Sequence, residues 1–148
     1  MGGSCMKKDD REILVEVQKN SQMAVKEIDT ISEKTCDDIM RYELVKEKRK
    51  YTDIFNRAEE CLLQNKAQEY HGSAIEDVIL KGAINLNTAL NCSSSKLAEL
   101  MIQGRNRGIT NMWRVMNHNE SATATSLEIA KELMDFEEKC IEQLKHYL

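Results

Sequence analysis

The chain has 148 residues, 31% charged and 41% hydrophobic, with a net charge of -4 made of both signs. That length suits one domain with a sizeable core, and the mixed charge offers no polycationic surface, so nucleic acid is not an expected partner. No apolar run approaches the ~20 residues of a bilayer span and no signal-peptide core follows the N-terminus, which predicts a cytoplasmic protein.

Residues 1–5 (Met-Gly-Gly-Ser-Cys) read as a cloning remnant, with Met6 as the natural start and residues 6–148 as a single helical domain. There is no proline, so one apolar pattern can be followed almost end to end. Its steps of three and four are those of helices packed side by side. The first helix is expected from about Asp10 to Glu33, with Leu14, Val17, Ser21, Ala24, Ile28 and Ile31 inward. Asp9 and Asp10 supply negative charge where a helix N-terminus favours it. The second is expected from about Cys36 to Lys66, with the seam Met40, Leu44, Glu47, Tyr51, Ile54, Ala58 and Cys61, flanked by Phe55 and Leu62. The Thr35-Cys-Asp-Asp stretch can cap it. So short a connection makes the two helices antiparallel neighbours. Its basic run, Lys46, Lys48, Arg49 and Lys50, reads as a solvated face.

After His71-Gly72, Ser73 and Glu76 form a capping box for a third helix carrying Ile75, Val78, Ile79, Gly82, Leu86 and Leu90. The pattern breaks near Asn91-Ser95, where the side chains compete with helix. The fourth helix holds Leu97, Met101, Gly104, Gly108, Met112 and Val115 and ends near Asn117. The fifth restarts at Ser121–Thr125 and runs to the C-terminus with Ile129, Ala130, Leu133, Phe136, Cys140, Leu144 and Tyr147. A stripe this wide touches two neighbours, as inside a bundle. The five cysteines, Cys5, Cys36, Cys61, Cys92 and Cys140, have no CxxC spacing. They read as reduced thiols, mostly small core residues.

Two glutamates interrupt the apolar faces. At ~100° per residue Glu47 lies about 40° from Tyr51, and Glu137 about 40° from Leu133. A buried carboxylate must be paired, hydrogen-bonded, protonated or metal-bound. The polar residues facing the same interior are Asn20, Glu27, Asn85, Arg105 and Asn111. Arg105 is the natural partner for one glutamate, because a guanidinium gives a carboxylate two hydrogen bonds. The expectation is an interior polar network of Glu47, Glu137, Arg105, Asn20 and Asn85 that sets helix register.

The competing possibility makes Glu47 and Glu137 metal ligands. A carboxylate-bridged dimetal centre uses a Glu from each of two helices and Glu-x-x-His from each of the other two. Glu47 is followed three residues later by Lys50 and Glu137 by Cys140, and none of the histidines follows a glutamate at that spacing. His146 is four after Glu142 in a solvent-facing pair, and His71 reads as a helix-end residue. No cofactor is therefore expected, a bound metal ion being the alternative. Cys140 reads as buried and inert. Gly104 and Gly108 form a GxxxG that lets helices approach closely, Arg105 and Arg107 excluding the membrane form of that motif.

The segment Lys96–Thr110, with its Ile-Gln-Gly-x-x-x-Gly-Ile pattern, and the closing Phe136–Leu148, with Glu-Glu-x-x-Ile-x-x-Leu-Lys-x-Tyr-Leu, resemble a family of uncharacterised clostridial proteins. Lys19-Asn-Ser-Gln-Met-Ala fits as well, and the resemblance covers nearly all of Val15 to Leu148. The chain departs from that pattern at Arg105 and Arg107, where small or apolar residues are expected. The resemblance implies membership of the broader ferritin-like group and carries no activity. The expected architecture is an all-α, ferritin-like, up-and-down four-helix bundle with the third and fourth apolar segments broken near Asn91-Ser95. The expected function is non-enzymatic, a homodimer or partner-binding module using Met23, Ile102 and Trp113. The alternatives are a degenerate ferritin-like metal-binding or stress-related protein, and a carrier of an apolar ligand in an interior lined by Met40, Met101, Met112 and Met134.

Overall fold

A computed structural model describes residues 6–64 and 93–148, and within them the protein is an all-α four-helix bundle. Helix α1 is Lys8–Lys34, α2 Asp38–Gln64, α3 Ser94–Asn117 and α4 Ala124–Leu144, followed by a 3-10 turn at Lys145–Tyr147. The expected third helix, with Ile75 to Leu90, lies outside the described residues, as do His71 and Asn85.

Local chemistry sets the helix ends. Asp37 caps α2, its Oδ1 accepting from the backbone N–H of Ile39 at 2.9 Å and of Met40 at 3.0 Å. Ser93 caps α3, its hydroxyl accepting from Lys96 N at 3.3 Å. Asp9 and Asp10 do more than complement the α1 N-terminus. Asp9 accepts from Ser121 N at 2.8 Å, and Asp10 accepts from both the N–H (2.7 Å) and the hydroxyl (3.0 Å) of Thr123. They tie the α3–α4 turn to the start of the chain.

Cross-helix contacts give the directions. Asp10 meets Thr123 and Asn20 meets Glu137, so α1 and α4 run the same way. Glu27 meets Arg105 while Asn20 lies beside Gly108, so α1 and α3 are antiparallel. Ser94 donates to Asp37 and Arg105 to Glu47, so α2 and α3 run together. Among the described helices the directions are up, down, down, up, so α2 and α3 depart from the strict alternation expected of an up-and-down bundle.

The core follows the expected stripes. Ile13, Leu14, Val17, Ile28 and Ile31 of α1 pack with Met40, Leu44, Tyr51, Ile54 and Leu62 of α2, Leu97, Met101 and Met112 of α3, and Ala130, Leu133 and Leu144 of α4. Several seam positions shift by one residue. Leu62 rather than Cys61 is buried on α2, and Met116 rather than Val115 on α3. The expectation that the cysteines are mostly core residues holds for Cys140 alone among the described ones, since Cys61 is half-buried and Cys36 exposed. Arg49 of the basic run is exposed, whereas Lys50 is partly buried and is drawn, with Arg57, onto Glu132 of α4, each at 2.7 Å. Those hydrogen bonds hold the Glu132 carboxyl down at about 2.

Candidate functional site, a buried arginine among carboxylates

Among the described residues the largest fully buried side chain is not apolar: it is Arg105, 1% exposed. Helix α3 carries it into the bundle on the same face as Met101, Gly108 and Met112. The guanidinium spans two helices. Nη1 donates to Glu27 Oε1 on α1 at 2.7 Å, and Nη2 donates to Glu47 Oε1 on α2 at 3.2 Å. It also lies 5.2 Å from the centre of the Tyr51 ring, within cation–π range. Its Nε is buried and has no hydrogen-bond partner among the described residues, as is true of Ser21 Oγ.

Glu137 of α4 completes the cluster. Its Oε1 accepts from Asn20 Nδ2 at 3.0 Å and its Oε2 from the Tyr51 hydroxyl at 3.1 Å. Phe136 meets the Tyr51 ring edge to face, centroids 5.0 Å apart, an added contact that holds the phenol in place. Each of the four helices thus contributes to one polar layer: Asn20 and Glu27, Glu47 and Tyr51, Arg105, and Glu137 with Cys140.

The electrostatics follow from burial. Loss of water raises the Glu27 and Glu47 carboxyls, and Arg105 pulls each back by charge and hydrogen bond. Burial pushes Glu137 up to about 7, against the pull of Arg105 and the hydrogen bonds from Asn20 and Tyr51. Burial would lower the guanidinium, but Tyr51, Glu27 and Glu47 around it outweigh that and keep it protonated. The Cys140 thiol is driven well above its ordinary range, first by burial and then by the charge of Glu47. It is a protonated thiol in the core and a poor nucleophile.

The two glycines of α3 have a role their spacing did not reveal. A Cβ on Gly104 would sit 2.9 Å from Glu27 Oε2, and one on Gly108 would sit 2.6 Å from Asn20 Oδ1 and 3.0 Å from Glu137 Oε1. The atoms they make room for are those of the polar layer, not a neighbouring backbone.

No family model, curated protein or solved structure matches the chain.

Of the expected network, the structure brings together Glu47, Glu137, Arg105 and Asn20; Asn85 lies outside the described residues. Glu27 joins it directly through Arg105. Asn111 does not, its side chain accepting instead from Arg114 at 2.8 Å on the exposed side of α3. Tyr51 reads in the sequence as one more apolar seam residue, yet its hydroxyl is what links α2 to Glu137; its position four after Glu47, on the same helix face, was the available signal. Among the described residues no three His, Cys, Asp or Glu side chains are grouped to hold a metal ion. His146 and Glu142 are both exposed.

Proposed function

We propose that this chain is a non-enzymatic, self-associating helical bundle of ferritin-like type that works in the cytoplasm as a homodimer. The observation that carries the reading is the guanidinium of Arg105 lodged between Glu27 and Glu47. Two carboxylates of the kind that such bundles spend on a metal centre are here paired with a side chain, and Glu137 is turned to the Asn20 amide and the Tyr51 hydroxyl. The ferritin-like part rests on the four described helices packed round one shared core.

Self-association rests on the surface. Ile39 (68% exposed), Tyr42 (63%) and Val45 (43%) lie three residues apart on α2, facing away from the core, and Trp113 of α3 is half exposed. Met23 and Ile102 are half-buried and contribute less than their place in the sequence suggests. Among the described residues no helix is long and apolar enough to cross a membrane, so a second protein surface is the natural cover. Size-exclusion chromatography with light scattering tests this. A concentration-dependent dimer that Ile39→Asp with Tyr42→Ser dissociates, with helicity kept, is the expected result, and a clean monomer at high concentration removes the idea.

A further inference from the structure

Three carboxylates surround Arg105, and the guanidinium is committed to two of them. Nη1 is taken by Glu27 and Nη2 by Glu47. Among the described residues Glu137 has no ion pair; both its oxygens face neutral donors, the Asn20 amide and the Tyr51 hydroxyl. It is 1% exposed, so bulk water does not solvate its charge. Among the described residues the titratable groups that face it are Glu27 from α1, Tyr51 from α2, Arg105 from α3 and Cys140 from its own helix, with Glu47 of α2 on the far side of Arg105 and Tyr51. With all three carboxylates ionised, the described residues of this layer carry one positive charge against three negative ones in a medium that penalises the imbalance. A proton is the smallest counter-charge that fits.

We propose that Glu137 is a proton switch in the bundle core, stored as the neutral acid in the folded state, whose ionisation keeps the Asn20–Glu137–Tyr51 junction of α1, α4 and α2 but places an uncompensated charge there and so weakens the fold. The neutral acid keeps both contacts, because an amide and a phenol can each accept as well as donate. The ionised form keeps them too but adds an unpaired charge to a dry site. Burial places the titration at about 7, near physiological pH.

The direction of the effect is fixed by linkage. The folded carboxyl holds its proton more tightly than the unfolded one, so the stabilisation is fully present below the unfolded pKa of about 4.3 and is lost as pH rises through about 7. The experiment is urea unfolding of the wild-type chain and of Glu137→Gln, a neutral side chain of the same shape, at intervals from pH 5 to pH 8. The wild-type folding constant should fall over that range by on the order of 50-fold more than that of the variant. The variant should match or exceed wild type at pH 8. The proposal is overturned if the variant keeps the full pH dependence, or if it is weaker than wild type by one constant factor throughout. A variant that does not fold would count against it as well. Carbon-13 NMR of the Glu137 carboxyl in the wild-type protein then gives the direct answer: titration near neutrality upholds the proposal, and a carboxylate already ionised at pH 5 ends it.

Discussion

Replacing Arg105 by Met removes the one cation that the described residues give the polar layer while keeping most of its volume and its apolar stem. Glu47, 4% exposed, then has no counter-charge, and the cheapest escape is to take up a proton. For a carboxyl with an unfolded pKa of about 4.3, that costs about 3.7 kcal/mol at pH 7 and about 1 kcal/mol at pH 5. Glu27 is less demanding, because its side chain is 22% exposed and can turn towards water. The worked cost at pH 7 agrees with the about 3–5 kcal/mol expected when one partner of a buried ion pair is deleted. Chemical denaturation of Arg105→Met at both pH values should therefore show a large deficit at pH 7 that shrinks by more than half at pH 5. Adding Glu47→Gln should recover most of the pH 7 loss, because it removes the charge the arginine was neutralising. A deficit below about 1 kcal/mol at pH 7, or one of equal size at both pH values, would refute the account of Arg105 as the counter-charge of this layer.

The two glycines of α3 should respond differently to alanine, although helix propensity favours both changes by about 1 kcal/mol. At Gly108 the new methyl displaces the short Asn20 side chain from its bond to Glu137, so Gly108→Ala should be net destabilising by about 0.5–2 kcal/mol. At Gly104 the close atom is the end of the longer, partly exposed Glu27, so Gly104→Ala should be within about 0.5 kcal/mol of neutral; thermal melts of the pair check the order. Asp10→Ala removes two acceptor contacts to Thr123 at the start of α4. It should cost about 1–2 kcal/mol and speed amide exchange across residues 119–127 before the rest of the bundle, measured by hydrogen–deuterium exchange.

The fold class was legible because helix periodicity is a local property. Leu14, Val17, Ala24, Ile28 and Ile31 repeat at the spacing that puts them on one face whatever they pack against, and all are buried. Glu47 and Glu137 stood out for the same reason, as charged residues in an apolar phase, and both prove buried. Partnership was less legible. Arg105 was foreseen beside one glutamate and instead holds two, Glu27 and Glu47, from helices on different sides of it. Asn111 has much the same composition-level claim to the interior as Asn20, yet its rotation about α3 turns it towards Arg114.

What the sequence determined by itself is where the helices lie and which faces are apolar, since each residue's angle about its helix axis follows from its number. It also determined that two carboxylates would need compensation, because a charge in an apolar phase has to be satisfied somewhere. Only the tertiary structure decided who compensates whom. The parallel run of α2 and α3 brings Arg105 to the level of Glu47, while α1 passes antiparallel with Glu27 beside it. The clearance at Gly108 lets Asn20 reach Glu137 from α1. Those meetings depend on helix direction, axial offset and a few tenths of an ångström of space, quantities that belong to pairs of helices and are written in neither one alone.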